Sequence, residues 1–462
     1  MKSDIVVVGG GASGLMAAYS AADFLVRSGS DAQVLLLEKM PRPARKIMIT
    51  GKGRCNFTNL KDWNGFSSHV RVNSGSLRAA FYNLTPEALV GFFGEYGMKS
   101  VVERGDRAFP ESHFSSDVVD ALVRACNSKG VKIQCEAEVA SVERRGDGFL
   151  LGFPDGSECE CRKLVLATGG LSYPTTGSTG DGYRWASSLG LRLVPTFPSL
   201  TALVPSGYKL PEEIKTDPQL PHHIDRSVPL SEIGEKLCGV HLKNVGMTLE
   251  IDGNPVAEEF GDVDFTDGGI EGPLGFRFSR QAVKAMINGG HAALVIDLKS
   301  TVPAAEVSAR VKQLFAEIEA DPRSERIREK EKCRILLGKL MPWDLIPGFT
   351  AMHPQMFTVT RDRNRRNVVK VNLDVIAGAL KCWRFPLAGF VGYERAVVTA
   401  GGVAMDGIVP KSMESKAVPG LYVCGELLDI DSDTGGYNLH SAFATGALAG
   451  LNAAKALLAA GN

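Results

Sequence analysis

Charge of one sign is what this chain lacks. Lys and Arg total 52, Asp and Glu total 52, and the formal net charge over 462 residues is zero. Without a basic excess, neither a nucleic acid nor an anionic membrane is expected as the main partner. Long apolar runs are also missing: none reaches the roughly 18 residues that a bilayer crossing needs. The first strand begins almost at the N-terminus, which leaves no room for a signal peptide. The nine cysteines are odd in number and scattered, with Cys159-Glu-Cys161 the one close pair. That excludes a disulfide framework and is too little for a zinc site, and it fits a reducing compartment. Together these absences predict a cytoplasmic protein. No internal repeat or low-complexity tract interrupts the chain. At 462 residues it is too long for one core, so several domains are expected. Glycine is in surplus: 51 residues are about 11%, against roughly 7% in average proteins.

That surplus has its clearest use at the start. Asp4 to Val8 is a short apolar run, as in a strand buried on both faces. Gly9-Gly-Gly-Ala-Ser-Gly14 follows, then the Ala-rich, helix-forming stretch Leu15 to Val26, then the apolar run Val34 to Leu37, closed by Glu38. Strand, Gly-x-Gly-x-x-Gly, helix, strand and acid in this order predict dinucleotide binding. Gly9 makes the tight turn, Gly11 admits a pyrophosphate to the backbone, and Gly14 lets helix and strand pack closely. The open N–H groups at the helix start face the phosphates. Glu38 stands where an acid accepts from a ribose hydroxyl.

Beyond Glu38 the chain turns basic and glycine-broken from Lys39 to Lys46 and again from Thr50 to Asn59, which reads as a long functional loop. Thr85-Pro86-Glu87 opens a helix, and Ser115–Ser128 is a second. Strands are expected at 131–135, 139–144, 149–153 and 163–167. Seven prolines between Pro195 and Pro229 argue against helix or central strand there. The predicted domains are therefore 1–194, the first part of a nucleotide domain; 195–392, an insert; and 393–462, its second part. Strand-like alternation at 240–245 and 247–251 suggests a small barrel or sandwich in the insert. The insert also carries a helical piece around 300–345, where Val307, Val311, Leu314, Phe315 and Ile318 share one face of a helix over 303–320. The charged stretch 321–332 reads as a solvated helix face or loop. The basic patch 361–366 has two readings, a solvated hairpin tip or a contact for an anionic ligand. The fold class is α/β: a discontinuous Rossmann-type domain with an inserted β-barrel plus α-helical domain.

A flavin dinucleotide is long, and its ring must be held far from its adenosine end. Gly425-Glu426, ending the buried strand Leu421 to Cys424, puts a carboxylate on the ribitol and pyrophosphate side. Gly435-Gly436 opens the last helix, predicted from Leu439 to about Ala459, and lets the backbone pass a planar ring. The N-terminal N–H groups of that helix would face the side of the ring that gains negative charge on reduction. The strand end Ala167-Thr168-Gly169-Gly170 is a third crossing point. The candidate cofactor set is Gly9, Gly11, Ala12, Ser13, Gly14, Glu38, Lys39, Lys46, Gly51, Gly53, Arg54, Cys55, Asn56, Val139, Ala167, Thr168, Gly169, Gly425, Glu426, Gly435, Gly436, Tyr437 and Asn438.

The motifs Gly9 to Ala18, Gly51-Lys-Gly-Arg-Cys-Asn-Phe-Thr-Asn59, Ala167 to Gly170, Tyr173 to Gly182 and Gly435 to Leu439 resemble those of the HI0933-like (BaiN/RdsA) flavoproteins. That group includes proteins called aminoacetone oxidase family FAD-binding enzymes. The resemblance covers almost the whole chain and implies non-covalent FAD with a barrel-plus-helix insert. Its members have been linked to bile-acid dehydroxylation and to amine oxidation. The chain departs from the group at His440, where relatives commonly carry Gln.

Three side chains are candidates for chemistry. His440 is a possible general base near the ring, with packing or capping as the plainer reading. Lys52 lies in the family loop, where lining the ring pocket and simple solvation compete. Cys55 is a possible reactive thiol, but no second Cys stands at a dithiol spacing. No second Gly-x-Gly-x-x-Gly marks a nicotinamide domain, so NAD(P)H either visits the flavin without one or the substrate itself is the donor. The expected activity is hydride transfer between flavin N5 and a small organic substrate or NAD(P)H. The alternatives are an oxygen-using amine oxidase, a flavin-dependent RNA-modifying protein and a non-catalytic redox module.

Overall fold

The computed structural model describes residues 1–210, 220–361 and 367–460. The chain forms two compact units, Met1–Pro198 with Val397–Asn462, and Ser199–Ala396. The sequence placed these divisions after 194 and after 392. The difference at the first arises because Leu193–Ser199 is a strand despite Pro195 and Pro198. Among the described residues it pairs only with Val398–Val403, and an edge position tolerates the missing N–H groups.

The first unit is built on a parallel sheet. Its central strands are β1 (Lys2–Val8), β2 (Val34–Leu37), β3 (Lys132–Gln134), β4 (Glu158–Leu166) and β5 (Leu421–Val423), in the order β5-β4-β1-β2-β3. All four neighbouring pairs are parallel. From Ile5 to Val8, β1 is buried throughout, as a strand covered on both faces must be. The strand expected at 139–144 starts later, at Ser141–Arg145, and makes an antiparallel hairpin with Gly148–Gly152. Two helices cover the sheet beside the site, α1 (Ala12–Arg27) and α2 (Tyr437–Ala459). They approach closely because α2 carries glycine where α1 presents backbone. A Cβ at Gly446 would lie 2.2 Å from Ser13 O, and one at Gly450 2.0 Å from Ala17 O. By length and composition α2 is apolar enough to cross a membrane, which the sequence reading did not anticipate, yet most of its apolar stretch is buried inside this unit.

The second unit contains a closed antiparallel barrel. In order around it run Leu203–Pro205, Gly269–Glu271, Asn254–Thr266, His241–Ile251, Ala292–Asp297 and Trp383–Phe390. The two strands expected at 240–245 and 247–251 are one, with a bulge between Leu242 and Val245. The aromatic core includes Phe265, Phe385 and Trp383, with Trp383 and Phe385 centroids 4.7 Å apart. Helices Ala304–Ala320, Glu329–Leu340, Ile346–Met352 and Leu373–Lys381 form the helical part. The five residues assigned to one face of the first are its buried residues. Of the basic patch 361–366, Arg361 ends the strand Phe357–Arg361 and is exposed; the remainder lies outside the described residues.

Candidate flavin site

The N-terminal glycine turn sits at the end of β1, between β2 and β4. Gly9 has φ +105°, and a Cβ there would come within 2.5 Å of Ala167 O. At Gly14 a Cβ would overlap Gly9 O at 1.8 Å, which no side chain survives. Gly11 differs in kind. Nothing lies within 4 Å of its Cβ position, and it caps α1 without any side-chain hydrogen bond. That open space leaves room for a group to approach the first N–H groups of α1, as a helix that receives a phosphate requires. Ala12 and Ser13 belong to that first turn, and Ser13 is buried.

Glu38 accepts the Gly10 N–H at 2.7 Å through one carboxylate oxygen and the Met40 N–H at 2.8 Å through the other. Burial pushes its pKa up, against those two N–H groups and Lys39, which favour the charged form. The Ala137 N–H donates to Glu38 O at 2.9 Å, which draws the segment leading to buried Val139 toward this strand end.

Beyond the first glycine turn two further backbone turns come together. Gly169 and Gly425 both have positive φ, +74° and +73°. A Cβ on Gly425 would sit 2.4 Å from Ser13 Oγ. Thr168 Oγ1 is buried and has no hydrogen-bond partner among the described residues. Glu426 accepts from Lys46 Nζ at 2.9 Å, from the Ser172 hydroxyl at 2.8 Å and from the Thr399 N–H at 2.8 Å. Burial opposes its ionisation, but the Lys46 ammonium and these donors outweigh that, and its pKa is lowered. Lys46 and Glu426 thus neutralise one another. Lys39 is likewise paired, with Asp181 at 2.6 Å. Arg54 is held by Glu103, His113 and the Phe109 ring, so it braces its own loop.

At the far end, Gly435 and Gly436 have φ +126° and +95°, and Gly436 caps α2, again with no side-chain hydrogen bond. The family loop comes against this turn. A Cβ on Gly436 would meet Thr58 O at 2.5 Å and Asn56 Oδ1 at 2.8 Å. Asn56 Oδ1 is buried without a partner among the described residues. Within the loop Gly51, Lys52, Gly53 and Cys55 all take positive φ, an unusual density for a stretch that includes Lys and Cys. Asn438 is not turned to a cofactor: its side chain accepts the Ser432 N–H and donates to the carbonyls of Ser432 and Asp433. Tyr437 is buried and stacks on His69, centroids 4.3 Å apart.

Two of the three chemical candidates are placed against their expected roles. His440 has no exposed surface; its Nδ1 lies 2.9 Å from Thr58 Oγ1, and Phe66 and Phe81 pack on its ring. Burial drives its pKa down to about 3, so it is a neutral packing residue and not a base at neutral pH. The Cys55 thiol is fully buried and pushed up to about 12, which removes the thiolate that reactivity needs. Lys52 is exposed on its turn. The sequence reading missed Ser172, Thr399, Asn59, His69 and Asp433. Asn59 Nδ2 donates to Gly435 O at 3.1 Å, and each of the others has at least one partner more than 200 residues away. No local spacing advertises such pairs.

A helix start with open space beside Gly11, a second helix capped by Gly436 without a side-chain bond, positive-φ glycines at 169 and 425, and partnerless buried oxygens at Thr168 and Asn56 among the described residues suit a long dinucleotide. Residues 3–452 match the HI0933-like protein Rossmann domain. The chain belongs to the HI0933-like family. It is an FAD-dependent oxidoreductase. Over 457 residues, 98% of this chain and 99% of the relative, it is 29% identical to a 3-dehydro-bile acid delta(4,6)-reductase of Clostridium scindens. It is 27% identical to a ribosomal RNA dihydrouridine synthase of Haemophilus influenzae, over 96% of each chain. Among solved structures, it is similar to the 3-ketosteroid delta1-dehydrogenase of Sterolibacterium denitrificans. There the TM-score is 0.49 at 13% identity, covering 98% of this chain and 100% of that one.

Proposed function

We propose that this HI0933-like protein is a reductase of carbon–carbon double bonds conjugated to a carbonyl, acting on a small organic substrate. The observation that carries the reading is chemical agreement between relatives of unlike substrate. A delta(4,6)-reductase of a 3-dehydro compound and a dihydrouridine synthase both add two hydrogens across such a bond. FAD, when bound and reduced by a two-electron donor, would supply hydride at N5. This chain's residues do the rest. The N–H groups at the start of α1 bind the pyrophosphate, Glu38 accepts from the ribose, and Gly169 and Gly425 let the backbone pass the middle of the dinucleotide. The N–H groups at the start of α2 favour the negative charge that reduction places on the ring. The half-buried Lys46–Glu426 pair adds no net charge to the site.

A second reading takes uridine in RNA as the acceptor. It is supported by the dihydrouridine synthases of Haemophilus influenzae and Escherichia coli, each 27% identical to this chain. The zero net charge favours the small substrate.

The test is anaerobic. The FAD-loaded protein is reduced, then offered a 3-oxo-Δ4 steroid, 2-cyclohexen-1-one, a uridine-containing oligoribonucleotide and, while still oxidised, aminoacetone. Return of the yellow colour with either carbonyl compound is expected. Return with RNA alone moves the assignment to the second reading, and bleaching by aminoacetone alone would make the protein an amine oxidase. Separate additions of NADH and NADPH identify the electron donor.

A further inference from the structure

Reducing a conjugated double bond requires a proton as well as a hydride, and His440 and Cys55, with no exposed surface, are sealed from a substrate. A different group is built for it. His69 Nδ1 lies 3.0 Å from Asp433 Oδ2, and Arg71 Nε donates to Asp433 Oδ1 at 2.5 Å. Asp433 is nearly buried, with 7% of its side chain exposed, whereas His69 keeps 32%. The imidazole stacks on Tyr437 with an interplanar angle of 18°. Backbone fixes the group from both sides. The Asp433 N–H donates to His69 O at 2.9 Å, the Arg71 N–H donates to Asp431 O at 2.8 Å, and Val70 bridges Ser432. All of this stands two residues before the Gly435-Gly436 turn. A partly exposed imidazole, oriented by a buried carboxylate and clamped on one face, has the construction of a general acid. A histidine kept only for packing would resemble His440.

We propose that His69 is the proton donor of the reaction, with Asp433 and Arg71 as its positioning residues. This rests on the reductase reading above. The carboxylate holds the hydrogen on Nδ1, so in the protonated ring Nε2–H is the group turned outward. The substrate's π bond breaks as hydride adds to the carbon β to the carbonyl and the Nε2 proton adds to the α carbon. Two C–H bonds form, the cofactor is left oxidised by two electrons, and water reprotonates His69. A nicotinamide or other two-electron donor restores the reduced cofactor.

The experiment compares wild type, His69→Gln, His69→Ala and His69→Phe, each loaded with FAD. The phenylalanine variant keeps the stack on Tyr437 and removes both nitrogens. Flavin absorbance and FAD affinity should match wild type in whichever variants fold. After reduction with one equivalent of dithionite, reoxidation by 2-cyclohexen-1-one should be at least about 100-fold slower in His69→Gln, within the usual range for loss of a general acid. Added imidazole should restore part of the rate in His69→Ala. Asp433→Asn should lower kcat with KM held, and Asp433→Glu should recover part of it. Reoxidation of His69→Gln or His69→Phe within about threefold of wild type overturns the proposal.

If the wild type is not reoxidised by any conjugated carbonyl compound, the reductase reading itself falls. His69 is then judged by a phenolate, which resembles an enolate. Binding of 4-hydroxybenzaldehyde to the oxidised FAD-loaded protein is read from its charge-transfer band. At least tenfold weaker binding in His69→Gln keeps His69 as a donor at the ring, and equal binding removes it.

Discussion

At the scale of single residues, position in the tertiary structure separates side chains that composition treats alike. His440 and His69 are both lone histidines in the sequence, yet one is sealed among phenylalanines and the other leans on a carboxylate at the surface. Replacing His440 with Gln should leave kcat/KM within about threefold and reduce stability by roughly 1 kcal/mol, the usual worth of one lost hydrogen bond. Steady-state kinetics and a denaturant titration check both, and a hundredfold loss of activity would restore His440 as a catalytic group. Gly11 offers a cleaner test of the crevice. Because its Cβ position is open, Gly11→Ala should fold with an unchanged Tm but lose at least tenfold in FAD affinity. Gly14→Ala, whose Cβ overlaps a carbonyl oxygen, should fail to fold properly. Equal FAD affinity in Gly11→Ala would mean that no phosphate approaches there. Glu426 carries a pH signature. Its folded pKa lies below the ordinary 4.5, so its charged form contributes stability that is full above that value. That contribution is lost as pH falls through the lowered folded value. A plot of Tm against pH should therefore drop below pH 4.5 less steeply in Glu426→Gln than in wild type.

Among the elements, α1 and α2 show how a sequence encodes a contact it cannot announce. The spacing Gly446-x-x-x-Gly450 suggests close packing, and the partner proves to be the backbone of Ser13 and Ala17, at the opposite end of the chain. Gly446→Val should be destabilised by several kcal/mol, because the displaced atom is main-chain carbonyl and not a flexible side-chain tip. Chemical denaturation measures this directly, and a change under about 1 kcal/mol would show that the helices can separate without penalty. The strand Leu193–Ser199 teaches the converse. Its prolines argued only against helix or central strand, and the strand that forms is an edge one, whose pairing with Val398–Val403 does not need their N–H groups.

For the whole molecule, the nucleotide unit is discontinuous in sequence but its two pieces are stitched together. Leu193–Ser199 pairs with Val398–Val403, and a Cβ at Gly401 would touch Pro195 O at 2.3 Å, so the chain leaves this unit and re-enters it at neighbouring points. Replacing Ser199–Ala396 with a short Gly-Ser linker should give a protein that still binds FAD and turns yellow. A colourless, aggregated product would show that the first unit depends on the second for folding.

The amino-acid sequence by itself determined the Rossmann core and the cofactor it takes. Gly9, Gly11, Gly14 and Glu38 act through local backbone geometry, and strand, turn, helix and acid fall within forty residues. It also determined that the two ends of the chain share a domain, because the buried-strand pattern returns near Leu421. Only the tertiary structure decided which charged groups are free and which are paired. Lys46 with Glu426, and His69 with Asp433, are separated by 380 and 364 residues. A pair formed across such distances leaves no periodicity in either neighbourhood, and burial, which sets whether a histidine is a base or a packing ring, is a property of everything folded around it.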